Sequence, residues 1–115
     1  MSKKRNSKLA PNFIIDMEKW ASYLISEVKY GKNHLIEQVK IHTEEEGEIS
    51  IGTLADRLQI SRDIKNGKSY KTIFHSLQGW KEGDSVYVYR VGGDSFIRID
   101  KNKAEQDFLG SILQF

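Results

Sequence analysis

Gly79-Trp80-Lys81-Glu82-Gly83, followed by Val86-Tyr87-Val88-Tyr89-Arg90-Val91-Gly92-Gly93-Asp94-Ser95-Phe96-Ile97-Arg98-Ile99-Asp100, is the stretch that decides the fold class. β-Branched and aromatic residues dominate both flanks, and Gly92-Gly93-Asp94 between them is a tight connection. The pattern predicts a β-hairpin of Val86–Arg90 and Phe96–Asp100, entered by a turn over Gly79–Gly83.

Upstream, Tyr70–Phe74 reads as a further strand. Asp56–Asn66 reads as a helix: Asp56 can cap it, Ile60 and Ile64 lie four apart on one face, and Gly67 supplies the stop. A strand follows that stop at once, so Gly67 is expected at positive φ. Leu54 and Leu58 extend the apolar side backwards, toward a helix start nearer Thr53. Tyr23–Tyr30 and Leu35–His42 read as two strands joined by Gly31-Lys32-Asn33, with Leu35, Val39 and Ile41 on one face of the second and Gln38, Lys40 and His42 on the other. Thr43–Gly47 reads as an acidic, exposed loop. Asn12 and the spacing of Phe13, Ile14, Met17, Trp20 and Ala21 predict a short N-terminal helix over residues 12–20. The apolar residues of Asp107–Phe115 are expected to dock on the body. No internal repeat is present.

These elements define an α+β domain over residues 11–115: a small, curved, mainly antiparallel sheet of about five strands, one central helix and a short N-terminal helix. Residues 1–10 read as a disordered basic tail. At 115 residues the chain is expected to form one domain that buries about two-thirds of its unfolded surface. It has no cysteine, which removes disulfides and thiolate metal sites and fits a reducing compartment. No apolar run approaches the length of a membrane span. Met1-Ser2-Lys3-Lys4-Arg5 lacks a following signal-peptide core, so the expected location is cytoplasmic. Lys3, Lys4, Arg5 and Lys8 give residues 1–8 a charge of +4, and subtracting that from the +2 of the whole chain leaves the remainder at −2. The folded part therefore carries no overall basic excess of the kind nucleic-acid-binding folds show, whereas the tail can serve as a cationic arm.

Gly67-Lys68-Ser69 ends like a phosphate-binding loop. The required first glycine is replaced by Arg62, and helix precedes strand rather than following it, so a helix stop is the better reading. His34, His42 and His75 are scattered without metal-ligand spacing, and no metal or cofactor is expected. No serine sits in a Gly-x-Ser-x-Gly elbow, and Glu44-Glu45-Glu46 is a solvated run, so the chain reads as non-enzymatic. Aromatic and basic residues interleave at Tyr70-Lys71 and Tyr87–Arg90. Such mixtures can stack on and neutralise a nucleotide, although they are also ordinary strand composition. Lys68, Tyr70, Arg90 and Arg98 are the candidate ligand-binding residues; Arg98 either pairs with Asp100 or another acid as ordinary surface electrostatics or, the favoured reading, presents its fork to a phosphate or carboxylate of a ligand or neighbouring subunit.

From Ala21 to Phe115 the chain resembles an uncharacterised family of small bacterial and phage domains, a domain of unknown function. The resemblance rests on Ala21–Tyr30 against Ala-x-Tyr-Leu-Ile-Thr-x-Val-x-Tyr, and on Ile64–Thr72 against Ile-x-x-Gly-x-[Ser/Thr]-aromatic-x-Thr. It continues through Trp80, Gly83 and Val86, then Val91, Gly93, Phe96, Ile97, Arg98 and Asp100. The closing Asp-Asn-Leu-Gly-x-Leu-Pro-x-Phe is met by Asp107–Phe115 with Phe108 and Leu113 replacing the asparagine and proline. The resemblance implies no known activity. The phage setting of similar domains implies a counter-defence role, sequestering a host signalling nucleotide or inhibiting a host protein. The expected partner is thus an anionic small molecule or a host protein, with no membrane and a homo-oligomeric state. The alternatives are nucleic-acid association through the N-terminal arm and a protein–protein interaction module.

Overall fold

The structure, a computed structural model, describes residues 19–115; the N-terminal helix expected over 12–20 and the tail at 1–10 lie wholly or almost wholly outside the described residues. The fold is α+β. Its elements in chain order are β1 (Tyr23–Tyr30), β2 (Ile36–His42), β3 (Glu44–Glu45), β4 (Glu48–Ile49), β5 (Thr53–Asp56), α1 (Arg57–Lys65), β6 (Tyr70–Ser76), β7 (Gly79–Ser85), β8 (Tyr87–Val91), β9 (Asp94–Arg98) and β10 (Leu113–Gln114).

Six strands form one open sheet in the order β5-β2-β1-β6-β7, with β10 also on β1. The expected five strands thus become six in the main sheet, which is mixed. β1 runs antiparallel to β2 but parallel to β6 over Tyr23–Ile25 and parallel to β10 over Glu27–Val28. Two short hairpins, β3–β4 and β8–β9, stand apart from that sheet. Both faces of β1 are covered. Leu24 joins Ala21, Ile49, Ile73 and Trp80 on one side. Ile25 and Val28 join Ile36, Val39, Ile41, Ile60 and Ile97 on the other.

Those spacings break the two-residue period of a strand, and bulges are the reason. The β1–β2 register skips Ser26 between Ile25↔Ile41 and Glu27↔Lys40, and skips Glu37 between Lys29↔Gln38 and Tyr30↔Ile36. One extra residue on each strand lets Ile25 and Val28, and likewise Ile36 and Val39, face the same core. Ile36 therefore takes the buried place expected of Leu35, which is only half-buried.

The helix keeps its expected cap, with Asp56 Oδ1 accepting from the Gln59 N–H at 2.9 Å. It does not begin at Thr53, because Thr53–Asp56 pairs with β2 as an edge strand. Gly67 sits at φ +92°, and the stop is a Schellman motif: Gly67 N–H donates to Ile64 C=O at 3.0 Å and Lys68 N–H to Asp63 C=O at 2.9 Å. The helix thus precedes the Gly-Lys-Ser segment and a strand follows it.

Gly79–Gly83, expected as a turn, belongs to edge strand β7, paired with β6. Gly83 permits a close approach there, since a Cβ would lie 2.4 Å from Thr72 Oγ1. The turn lies earlier, where Ser76 Oγ donates to Gly79 C=O and accepts from Gln78 N–H. The expected acidic loop at Thr43–Gly47 instead contributes to the β3–β4 hairpin, and Glu44 is buried, its Oε1 accepting from Trp20 N–H at 2.6 Å. The β8–β9 hairpin forms as expected, with Gly92 and Gly93 at φ +61° and +96°. Among the described residues no helix is long and apolar enough to cross a membrane.

Candidate functional site

A cleft of about 800 Å³ opens between α1, the start of β9 and the segment leading to Asp107. Its geometry depends on an ion pair between a buried carboxylate and a partly exposed guanidinium. Asp107 is fully buried, and its carboxylate accepts from Ile36 N–H at 2.8 Å, Ile97 N–H at 2.8 Å, Arg57 Nε at 2.6 Å and Arg57 Nη2 at 3.0 Å. Arg57 Nη2 also donates to the Ser95 carbonyl at 2.6 Å, and its guanidinium lies 5.8 Å from the Phe96 ring centroid. The hydrogen bond to Asp107 raises the Arg57 pKa above its ordinary value. One carboxylate thereby ties the first turn of α1, the start of β2 and strand β9 to the C-terminal segment.

The same segment is zipped along β9, with Phe108 N–H donating to Ile97 C=O and Ile99 N–H to Phe108 C=O. Tyr30 Oη accepts from Leu109 N–H at 2.9 Å, and burial pushes its phenol pKa up. His34 stacks on Tyr30 at 3.8 Å and donates from Nδ1 to the Asp107 carbonyl at 2.9 Å. Leu109 and Ile112 dock in the core as expected for this terminus, while Leu113 and Phe115 stay exposed.

Arg57, Lys65, Ser61 and Ser95 line the cleft with polar groups, Leu58 and Phe96 with apolar surface, and Asp94 and Glu105 with carboxylates. The volume is in the range of small-ligand sites. The Lys65 ammonium is exposed, 3.4 Å from Ser95 Oγ.

The residues expected to bind a ligand do not converge. Lys68 is exposed and lines a shallower groove with Ser22, Tyr23 and Ser69. Tyr70 is buried in the core. Its Oη donates to Asp63 Oδ2 at 2.7 Å, and burial drives its phenol pKa up, so it remains a donor. Arg90 is exposed on β8, its Nη2 3.4 Å from the Gly93 carbonyl. Arg98 is 6% exposed, and its fork is taken up within the chain: Nε and Nη2 donate to Asp100 at 2.7 and 3.2 Å, Nη1 to the Gln106 carbonyl at 2.9 Å. Its guanidinium lies over Phe108 at 5.2 Å, and it holds the Asp100 carboxyl below its usual range. Lys3, Lys4, Arg5 and Lys8 lie outside the described residues.

Sequence reasoning misses Arg57, Lys65 and Phe96 as cleft residues and Asp107 as the buried anchor of Arg57. Arg57 and Asp107 are fifty positions apart, and the one local signal, an arginine directly after a helix cap, is common on helix surfaces. No protein-family model, curated protein or solved structure matches the chain.

Proposed function

We propose that the protein binds a small anionic ligand bearing a flat ring, a nucleotide being the type, in the cleft between α1 and β9, without transforming it. The observation that carries this reading is the cleft itself: a cavity of about 800 Å³ with the exposed Lys65 ammonium and the pre-oriented Arg57 guanidinium on one wall and Leu58 and Phe96 beside them. Arg57 is fixed by Asp107 before any ligand arrives, so little side-chain order is lost on binding. Asp94 and Glu105 accept hydrogen bonds from hydroxyl or amino groups and disfavour a long polyanion, so a monophosphate or carboxylate suits the cleft better than a triphosphate chain. Calorimetry with nucleoside mono- and triphosphates tests this. The expected result is tighter binding of the monophosphate, weakening as salt rises, and at least about tenfold loss in Lys65→Glu, the effect of removing and reversing one charge contact. Equal binding by Lys65→Glu removes the reading. Native mass spectrometry of protein taken from cells identifies the retained ligand.

A second reading, a protein–protein contact, is favoured by Ile51, Leu54 and Leu58, which are 80%, 56% and 61% exposed around edge strand β5 and the start of α1. In that case Leu54→Lys converts an oligomer or complex to monomer in analytical ultracentrifugation while the fold persists.

A further inference from the structure

On the sheet face opposite α1, Ser26 and His42 form a buried pair. Ser26 Oγ lies 2.7 Å from His42 Nε2, and His42 Nδ1 lies 2.8 Å from the Ser50 carbonyl oxygen. A carbonyl oxygen only accepts, so Nδ1 carries the hydrogen and Nε2 presents its lone pair to the serine hydroxyl. Burial holds the imidazole pKa below its ordinary 6.5, so the ring is a neutral base at pH 7. A nucleophile, a base in hydrogen-bond reach and a third group that orients the base form the arrangement that activates a hydroxyl. Ser26 is the extra residue of the β1 bulge, a device that re-aims one side chain out of strand alternation.

The pair borders a cavity of about 250 Å³ whose apolar lining comes from Ile51, Gly52, Ile73, Phe74, Trp80 and Leu113. Trp80, with its ring 5.4 Å from that of His42, has a buried indole N–H with no hydrogen-bond partner among the described residues.

We propose that Ser26 is an activated nucleophile that takes an acyl group from a small activated ester held in this cavity. Ser26 Oγ bonds to the ester carbonyl carbon as its proton passes to His42 Nε2. The carbonyl oxygen gains charge as the tetrahedral adduct forms. The C–O bond to the leaving alcohol then breaks, and the alkoxide takes the proton from Nε2, leaving Ser26 acylated and His42 neutral. Nδ1–H stays on the Ser50 carbonyl throughout. The charged and titratable groups around the ring are Lys40 and Glu27, paired at 3.2 Å, and His75, whose ring lies tilted against Trp80 with centroids 3.8 Å apart. This site and the cleft at α1 stand on separate residues and are tested separately.

The full chain is treated with 4-nitrophenyl acetate, quenched in acid within the first turnover, and mapped by peptide mass spectrometry. The expected product carries one acetyl group on Ser26. Its rate of formation is flat from pH 7 upward and falls only below pH 6.5, as His42 protonates. Ser26→Ala loses the adduct, and His42→Gln slows it at least about 100-fold, the usual contribution of a general base, with circular dichroism confirming that each variant is folded. Acetylation confined to lysines, an absent adduct, or an unchanged rate in folded His42→Gln overturns the proposal. Mapping on the unaltered chain decides the question even where a variant fails to fold.

Discussion

Asp107 receives four donors on one buried carboxylate, and they come from the start of β2, the first turn of α1 and strand β9. Removing the carboxylate leaves the buried Ile36 and Ile97 N–H groups unpaired, at about 1–3 kcal/mol each, so Asp107→Ala is expected to cost about 2–6 kcal/mol in urea unfolding. At Gly67 conformation is the only obstacle to a side chain, since a Cβ there would meet nothing within 4 Å and φ is +92°. Gly67→Val should therefore lose about 1–2 kcal/mol, with Gly67→Asn losing less, because asparagine tolerates the left-handed region. His42 makes a pH-dependent contribution whose sign follows from its lowered pKa. Between that value and 6.5 the unfolded chain binds more protons than the folded one, so stability rises with pH through this window and levels off above it. His42→Gln should abolish that slope in denaturation curves recorded from pH 5 to 8.

At the scale of elements, the sequence is most readable where local chemistry decides. Asp56 and Gly67 bracket α1, and Gly92-Gly93 close the β8–β9 hairpin, because caps and positive-φ turns are written in single residues. Ile60→Ala should cost about 2–5 kcal/mol, since Ile60 is the one large apolar side chain of α1 that is fully buried. Alternation fails wherever a bulge intervenes. Ser26 and Glu37 are unremarkable in sequence, yet each shifts the phase of its strand and decides which neighbour is buried. β7 is hidden because edge strands carry glycine and charge, here Gly79, Lys81, Glu82 and Gly83, which imitate a turn. The cleft is hidden for a different reason: Arg57, Ser95 and Asp107 come from distant segments and meet only after the C-terminal segment closes on β9. Tyr70 and Arg98 bear the right chemistry for a ligand but use it to hold the fold.

For the molecule as a whole, deletion of residues 1–10 should leave thermal stability nearly unchanged, because the segment is charged and polar with Leu9 as its one large apolar side chain beyond Met1. If nucleic acid binds through Lys3, Lys4, Arg5 and Lys8, the same deletion weakens that binding and flattens its salt dependence; binding that is equal at low and high salt removes the arm from the account. The central claim is that one cleft, framed by the Arg57–Asp107 pair, receives a small anionic ligand. The most direct measurement is an NMR titration of the isotope-labelled chain with a nucleoside monophosphate. Saturable amide shifts confined to Ser61, Lys65, Ser95, Phe96 and Gln106 are the predicted result. No shifts at millimolar ligand, or shifts centred on Lys68 or Arg90 instead, would contradict it.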